Sequence, residues 1–526
     1  MNILKALFIA IFLCSSSAIG QESKPNIVII YVDDLGYGDL SCYGATEVST
    51  PNADKLATEG VRFTDAHCSA ATCTPSRYSL LTGRYAFRKN AAVLPGDAPL
   101  LISTERETLP KMLQKNGYKT AVVGKWHLGL GDGNVDWNSK VSPGPLEIGF
   151  DYSYLIPSTG DRVPSVLLEN YNVVDLDPED PIKINYKKKV GNDPTGNENP
   201  DLERYASDDF HGKTIVNGVA RIGYMSGGNS ARFRDETVPY QMLNKARNFI
   251  DKNKEQPFFL YFSFHDIHVP RLPDTRFAGA TKMGVRGDAI VQMDYITGEL
   301  INHLEKRGLK ENTIIVFSSD NGPVLDDGYA DGAVELLGNH KPGGPYRGNK
   351  YSAYEAGTRV PTMVYWPGTI TPSKSNALLT QTDLYASFAE LIGHQLSEQE
   401  APDSYAMWDV FSGKSTNGRE FLLEESVTLS LRHGNYKYIH PTKKKASWIK
   451  DVKNIESGTS TLPQLFDLSE DIEERVNIEA KNKKLVKKMQ AEIERIKNNE
   501  VSRKNNSYEC KKDGNIFVLD LISFFP

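Results

Sequence analysis

Three observations predict an α/β protein, a mostly parallel sheet sandwiched by helices with a smaller C-terminal α+β subdomain. From about residue 22 to 400, short apolar runs alternate with amphipathic helical patterns, as repeated βαβ units require. The apolar runs are followed by polar, chemistry-bearing residues, the arrangement expected at the carboxyl ends of strands in an open α/β sheet. Beyond about 410 the pattern changes to closely spaced short strands and one amphipathic helix. The chain has 526 residues, 39% hydrophobic and 24% charged, without long charge blocks, which excludes intrinsic disorder, collagen and coiled coil. A net charge of −6 supplies no general basic field for nucleic acid or a membrane surface, so any anion must be caught locally.

Taken in order, residues 1–20 place Lys5 before a short apolar run and end in Ala18, Ile19 and Gly20, the pattern of a secretory signal peptide. No later stretch approaches the apolar length of a membrane span, so the expected location is periplasmic or secreted. The α/β domain is assigned to 22–410. Its clear strands are Asn26–Val32, Thr120–Val123, Pro257–Phe264, Thr313–Ser318 and Pro361–Trp366. The first runs into Asp33 and Asp34, the second into Lys125 and His127, the third into His265 and His268, and the fourth into Asp320 and Asn321. Four separated segments are therefore expected to build one site. Residues 151–235 break the pattern with Asp-, Pro- and Gly-rich segments and read as an insertion of loops and short strands that shapes substrate entry. Residues 411–500 read as the α+β subdomain, with strand-like pieces (REFLLEES, GNYKYIH, LPQLFDLSE) and a helix near Lys481–Asn499 that carries Leu485, Met489, Ile493 and Ile496 on one face. The apolar tail, 501–526, has no physical account.

Five cysteines occur, Cys14, Cys42, Cys68, Cys73 and Cys510, too few for a disulfide framework in a secreted chain of this length. Cys68 and Cys73 in HCSAATC admit a disulfide with each other or with Cys42, a thiolate metal site with His67, or a chemically special residue. Pro75 in a first turn and the helical run that follows put Cys73 at a helix N-terminus, where free N–H groups favour an anion. Arg77 lies one turn along the same face.

From Cys73 to Arg84 the sequence matches C-x-P-S-R-x-x-x-L-T-G-R at every fixed position, and here it resembles the type I, formylglycine-dependent sulfatases. The resemblance runs from Pro25 to about Asn499 and includes QLFDLSEDIEERVNI. It departs at Glu355, Ala356, Gly357, where E-G-G is commoner, and in the tail after Asn505. It implies an alkaline-phosphatase-like fold and conversion of Cys73 to formylglycine by a maturation enzyme. One hydroxyl of the hydrated aldehyde attacks sulfur, and the second expels sulfate by regenerating the aldehyde. It also implies a divalent metal, Ca²⁺ or Mg²⁺, held by Asp33, Asp34, Asp320, Asn321 and position 73. All-oxygen ligation suits those ions, although read alone an Asp-Asp after a strand is more often a turn or cap. Lys125 and His127 are implied on the nucleophile side, with Lys125 and Arg77 supporting the formylglycine. His268 and Lys350 are implied on the bridging and terminal sulfate oxygens, where a developing alkoxide needs an acid. His265 reads as a supporting or core residue.

The segment FDYSYLIPSTGDRVPSVLLEN resembles sulfatases of bacterial polysaccharide degraders, which implies a sulfated oligosaccharide or monosaccharide substrate. The expected activity is exo-acting removal of sulfate, as from the 6-position, on galactose or N-acetylgalactosamine. Asp161 and Arg162 would meet sugar hydroxyls, and Arg162 or His211 a neighbouring anion; as a bare sequence, STGDR is equally a turn. Two alternatives stand beside this one. A phosphonate or phosphate monoester hydrolase of the same superfamily shares the sheet and some metal positions, and a non-catalytic sulfated-glycan binding protein would retain the pocket.

Overall fold

The apolar runs form the strands that their composition predicts. The computed structural model describes residues 24–444, 449 and 455–503; the signal-peptide reading, Cys14, Cys510 and the tail from 504 lie outside them. Ten strands make one sheet: β1 (Asn26–Val32), β2 (Val61–Phe63), β3 (Lys119–Lys125), β4 (Tyr152–Ile156), β5 (Leu168–Glu169), β6 (Asn172–Val173), β7 (Phe258–Ser263), β8 (Thr313–Ser319), β9 (Thr362–Tyr365) and β10 (Ser373–Ser375). Their order is β10-β2-β9-β8-β1-β7-β3-β4-β5-β6, and the five central strands from β8 to β4 run parallel. The strands β8, β1, β7 and β3 are consecutive neighbours, so the four segments singled out in the sequence end side by side.

Alternate residues of β1 enter different cores. Ile27, Ile29 and Tyr31 pack with α2 (Cys73–Thr82), α3 (Leu109–Lys115) and α6 (Leu384–Leu391). Val28, Ile30 and Val32 pack with α1 (Pro51–Glu59), α4 (Val238–Asn253) and α5 (Gly284–Lys306). This is the period-two consequence of a strand covered on both faces. Residues 151–235 form loops, single turns and short strands, and the first of these strands joins the central sheet. Tyr152–Ile156 is a fifth parallel strand beside β3, because Ser153 to Ile156 are fully buried there. No helix among the described residues is long and apolar enough to cross a membrane.

A four-stranded antiparallel sheet follows: β11 (Leu422–Glu425), β12 (Leu429–His433), β13 (Tyr436–Ile439) and β14 (Gln464–Asp467). The helix α7 (Lys483–Asn498) covers it with Val486, Met489, Ile493 and Ile496; Leu485 is only partly buried against the same cluster. The edge strand β11 reaches back to the first domain. The Ala71 N–H donates to the Glu425 carbonyl at 2.8 Å and the Glu425 N–H to the Ser69 carbonyl at 3.0 Å, so the peptide just before Cys73 pairs with the C-terminal sheet.

Burial pushes the Glu425 carboxyl up to about 8. An acid raised in the folded state contributes fully below its unfolded value, about 4.3, and its contribution is lost as pH rises through the folded value. Glu425→Gln is therefore expected to raise the thermal midpoint at about pH 8.5, on the order of 1 kcal/mol after allowing for partial exposure, and to change it little near pH 5. Melting curves at the two pH values check this; equal shifts at both would count against it.

Candidate active site

The helix α2 starts at Cys73, preceded by the extended Thr72, whose side chain makes no cap bond. Its first turn is thus left open toward the sheet end. The Cys73 Sγ lies 3.3 Å from His127 Nδ1. The other ring nitrogen, Nε2, bonds the Leu94 carbonyl at 2.9 Å, which makes Nε2 the protonated one and turns the lone pair of Nδ1 to the thiol. His127 follows β3 directly. Gly124, within that strand, has φ +121° and passes so close to Ser263 that a Cβ would collide with the Ser263 carbonyl oxygen.

The ends of β1 and β8 supply the acidic residues. Asp33, Asp34, Asp320 and Asn321 are all fully buried. Ligand atoms of Asp33, Cys73 and Asp320 lie within 4.8 Å of one another, as do those of Asp33, Asp34 and His268. Cations face them: Lys125 Nζ is 2.5 Å from Asp33, Lys350 Nζ is 2.9 Å from Asp34, and Arg77 Nη2 is 2.7 Å from Asp320. Even so, Asp33 Oδ1 and Asn321 Oδ1 are buried without a hydrogen-bond partner. A buried unpaired oxygen costs about 1–3 kcal/mol. Two of them in one cluster of carboxylates and an amide form the donor set that a hard divalent cation takes.

Burial, with Lys350 and Lys125, holds His268 down to about 4, so its imidazole is neutral at pH 7. Its Nδ1 bonds the Val269 carbonyl at 2.6 Å, and Nε2 faces Asp34 at 3.8 Å. Burial also lowers His127, helped by Lys125 and Arg162. Burial opposes ionisation of Asp34, but Lys350, His268 and Lys125 outweigh it and its carboxyl lies below the usual range. Burial raises the Cys73 thiol against the pull of Lys125 and Lys350, so the site does not prepare a cysteine thiolate.

A sulfatase family model matches residues 25–394, the span that carries all of these residues. The chain belongs to the sulfatase family. It is 49% identical over 483 residues to an N-acetylgalactosamine-6-O-sulfatase of Bacteroides thetaiotaomicron, covering 91% of this chain and 94% of that one. Human arylsulfatase H is 31% identical, with 90% of this chain and 91% of that one covered. A solved Bacteroides thetaiotaomicron sulfatase, described with the metabolism of multiple glycosaminoglycans, superposes with a TM-score of 0.89 at 48% identity. It covers 91% of this chain and 100% of that one. The protein is a sulfuric ester hydrolase with the alkaline-phosphatase-like fold of its family.

In this sulfatase the geometry differs in places from the sequence reading. The Arg77 guanidinium bonds Asp320, Ser263 at 2.5 Å and the Lys125 carbonyl at 3.3 Å. Cys68 is neither a disulfide partner nor a thiolate ligand. Cys42, Cys68 and Cys73 are all free, and the Cys68 thiol donates to the Ala70 and Thr358 carbonyls. His265 stands apart from the acidic cluster, 3.9 Å from Asp266. Asp161 is held by Arg162 at 3.0 Å and faces His211 at 3.5 Å. Sequence reasoning missed Asp327, which lies 3.3 Å from both Lys350 Nζ and the Tyr351 hydroxyl, and the Leu94 carbonyl that sets the His127 tautomer. No periodicity or motif marks either. Asp34, His127 and Tyr351 have φ of 60°, 54° and 72°. Left-handed backbone costs a non-glycine residue about 1–2 kcal/mol, and strain of this kind collects where side chains must be aimed.

Proposed function

We propose that this enzyme is an exo-acting carbohydrate sulfatase that removes a 6-O-sulfate from a galactose or N-acetylgalactosamine-type sugar, using formylglycine made from Cys73 by a maturation enzyme and a calcium ion. The observation that carries the reading is the setting of Cys73. It sits as a neutral thiol at an open helix N-terminus, beside three carboxylates and three cations, within the full C-x-P-S-R motif. The 49% identity to an N-acetylgalactosamine-6-O-sulfatase supports the sugar class. When formed, the hydrated aldehyde supplies the attacking hydroxyl, and the metal neutralises charge on the sulfate. Asp33, Asp34, Asp320 and Asn321 would hold the metal, with Mg²⁺ the alternative ion, and Arg77 fixes Asp320 in place. His127 Nδ1 is placed to take the proton from the attacking hydroxyl at position 73, and Lys125 stabilises that side. Lys350 binds a terminal sulfate oxygen, and His268 Nε2 faces the bridging oxygen; it supplies a proton there only in the imidazolium form, because the Nδ1 proton is already committed to the Val269 carbonyl.

Matured enzyme incubated with a panel of 6-sulfated and other sulfated monosaccharides and oligosaccharides is expected to release sulfate fastest from 6-sulfated galactose-type ends. Cleavage of an aryl sulfate with no sugar of the panel desulfated would sink the sugar assignment.

A further inference from the structure

Between the end of β8 and the single turn at Glu355–Gly357 the chain forms neither helix nor strand, yet Asp327 and Lys350 within it are buried. Side-chain and backbone ties must hold this segment where regular hydrogen bonding does not. One tie lies outside the reaction centre. Asp39, five positions after Asp34, is fully buried. Its Oδ1 accepts from His340 Nε2 at 2.7 Å and Arg286 Nη1 at 2.9 Å, and its Oδ2 from Arg286 Nη2 at 2.8 Å and the Gly36 N–H at 2.7 Å. Against burial, Arg286 and His340 hold the Asp39 carboxyl down to about 2, so an ionised acceptor fixes the proton on Nε2 of His340. Arg286 lies in the first turn of α5. The carboxylate is thus anchored to a helix on one side and grips the irregular segment through His340 on the other.

Backbone contacts beside this pair carry its effect toward the site. The Gly38 N–H donates to the Pro342 carbonyl at 2.7 Å. A Cβ added to Gly36 would lie 2.2 Å from that same carbonyl oxygen and 2.7 Å from Cγ of Pro323, so only glycine lets the three stretches meet here. The Pro323 carbonyl in turn accepts the Lys350 N–H at 2.8 Å. Tyr346 extends the contact, edge-on against Tyr37 with ring centroids 5.1 Å apart. Residues 36–38, which lead away from Asp34, are therefore wedged between two parts of the segment that carries Lys350. Across the wedge, Lys350 Nζ reaches Asp34 at 2.9 Å.

We propose that His340 is a positioning residue for Lys350: through Asp39 it clamps residues 340–342 onto 36–38 and so sets where Lys350 Nζ meets Asp34 and a sulfate oxygen. The His340 ring bonds Asp39, outside the cluster of Asp33, Asp34, Asp320 and Asn321, so it acts through the backbone it holds. The inference rests on the assignment of Lys350 to a terminal sulfate oxygen. Loosening a charged contact of that kind lowers kcat/KM about tenfold. The loss extends to every sulfate ester, because the contact is to the group they share.

The test is a double-mutant cycle on matured, calcium-loaded full-length enzyme, with 6-sulfated N-acetylgalactosamine and an aryl sulfate as substrates. His340→Ala is expected to lower kcat/KM about tenfold on both, chiefly through KM. Binding of inorganic sulfate, read by calorimetry and so without turnover, weakens by the same factor. His340→Gln, whose amide nitrogen can take the place of Nε2, keeps wild-type constants. His340→Asn is one methylene shorter and behaves as the alanine variant, which it replaces should that one fail to fold. In a Lys350→Ala background, His340→Ala costs no more than about a further twofold. A merely structural role for His340 would instead multiply the two losses. Multiplied losses, or sulfate affinity in His340→Ala and His340→Asn equal to wild type, overturn the inference. Wild-type sulfate affinity in Lys350→Ala itself is a separate result: it takes Lys350 off the sulfate and removes the assignment on which the inference rests.

Discussion

Cys73→Ala is expected to lower kcat/KM at least about 10⁴-fold while leaving the fold in place, because alanine lacks the thiol through which the proposed maturation converts the Cβ to an aldehyde. The loop that presents it is held by backbone, not by its side chain. Cys68 N–H donates to Thr358, Ala71 N–H to Glu425, and Tyr351 N–H to Ala71, all at 2.8–2.9 Å. The helix α2 beyond it is buried along its whole length. Losing the sulfur thus costs a small cavity, about 1 kcal/mol. Turnover together with a thermal melt separates the two effects. Mass spectrometry of the peptide from Phe63 to Arg77 of the wild type supplies the complement: Cys68 alkylates, and position 73 is lighter than cysteine and reacts as an aldehyde. More than about 1% residual activity in the alanine variant, or two alkylated thiols in an active wild type, would remove position 73 from the mechanism.

Arg432→Met is expected to destabilise the protein by about 3–5 kcal/mol, the usual result of removing one partner from a buried ion network. Arg432, on β12, reaches 367 residues back to Asp65 at 3.1 Å and also bonds Glu355. Around this pair, His67 Nδ1 is 2.9 Å from Glu424, Lys437 Nζ is 2.5 Å from Glu424 and 3.3 Å from Glu355, and Arg359 holds Asp65. Burial pushes the remaining acid, Glu474, up to about 8, so it stands neutral at pH 7 and its Oε2 accepts the Glu355 N–H at 2.7 Å. Methionine fills the volume of arginine but leaves Asp65 and the fully buried Glu355 one cation short. A urea midpoint shifted by the equivalent of less than about 1 kcal/mol would show that Arg359 and Lys437 suffice. Because β11 of the same sheet pairs with residues 69–71, the variant is also expected to lose activity before it unfolds globally.

The residues themselves determined the class of the fold and the place of the site. Short continuous apolar runs rich in β-branched and aromatic residues read as strands covered on both faces, and Asp33, Lys125, His268 and Asp320 follow four of them, so a parallel sheet brings these side chains to one end. The Cys73–Arg84 motif, a local signal twelve residues long, pointed to the chemistry in the same way. Tertiary structure decided what pairs with what. That Arg77 grips Asp320, 243 positions away, that Asp327 steadies Lys350, and that Cys68 keeps a free thiol follow from contacts between distant segments. It also made Tyr152–Ile156 a strand of the central sheet and made the C-terminal sheet a support for the loop before Cys73 through Glu425 and Arg432. Local periodicity reports which face of an element is buried; it holds no record of the partner on the other side. Electrostatic partners such as Asp39 and His340 are set only when separate elements meet, and they become readable only there.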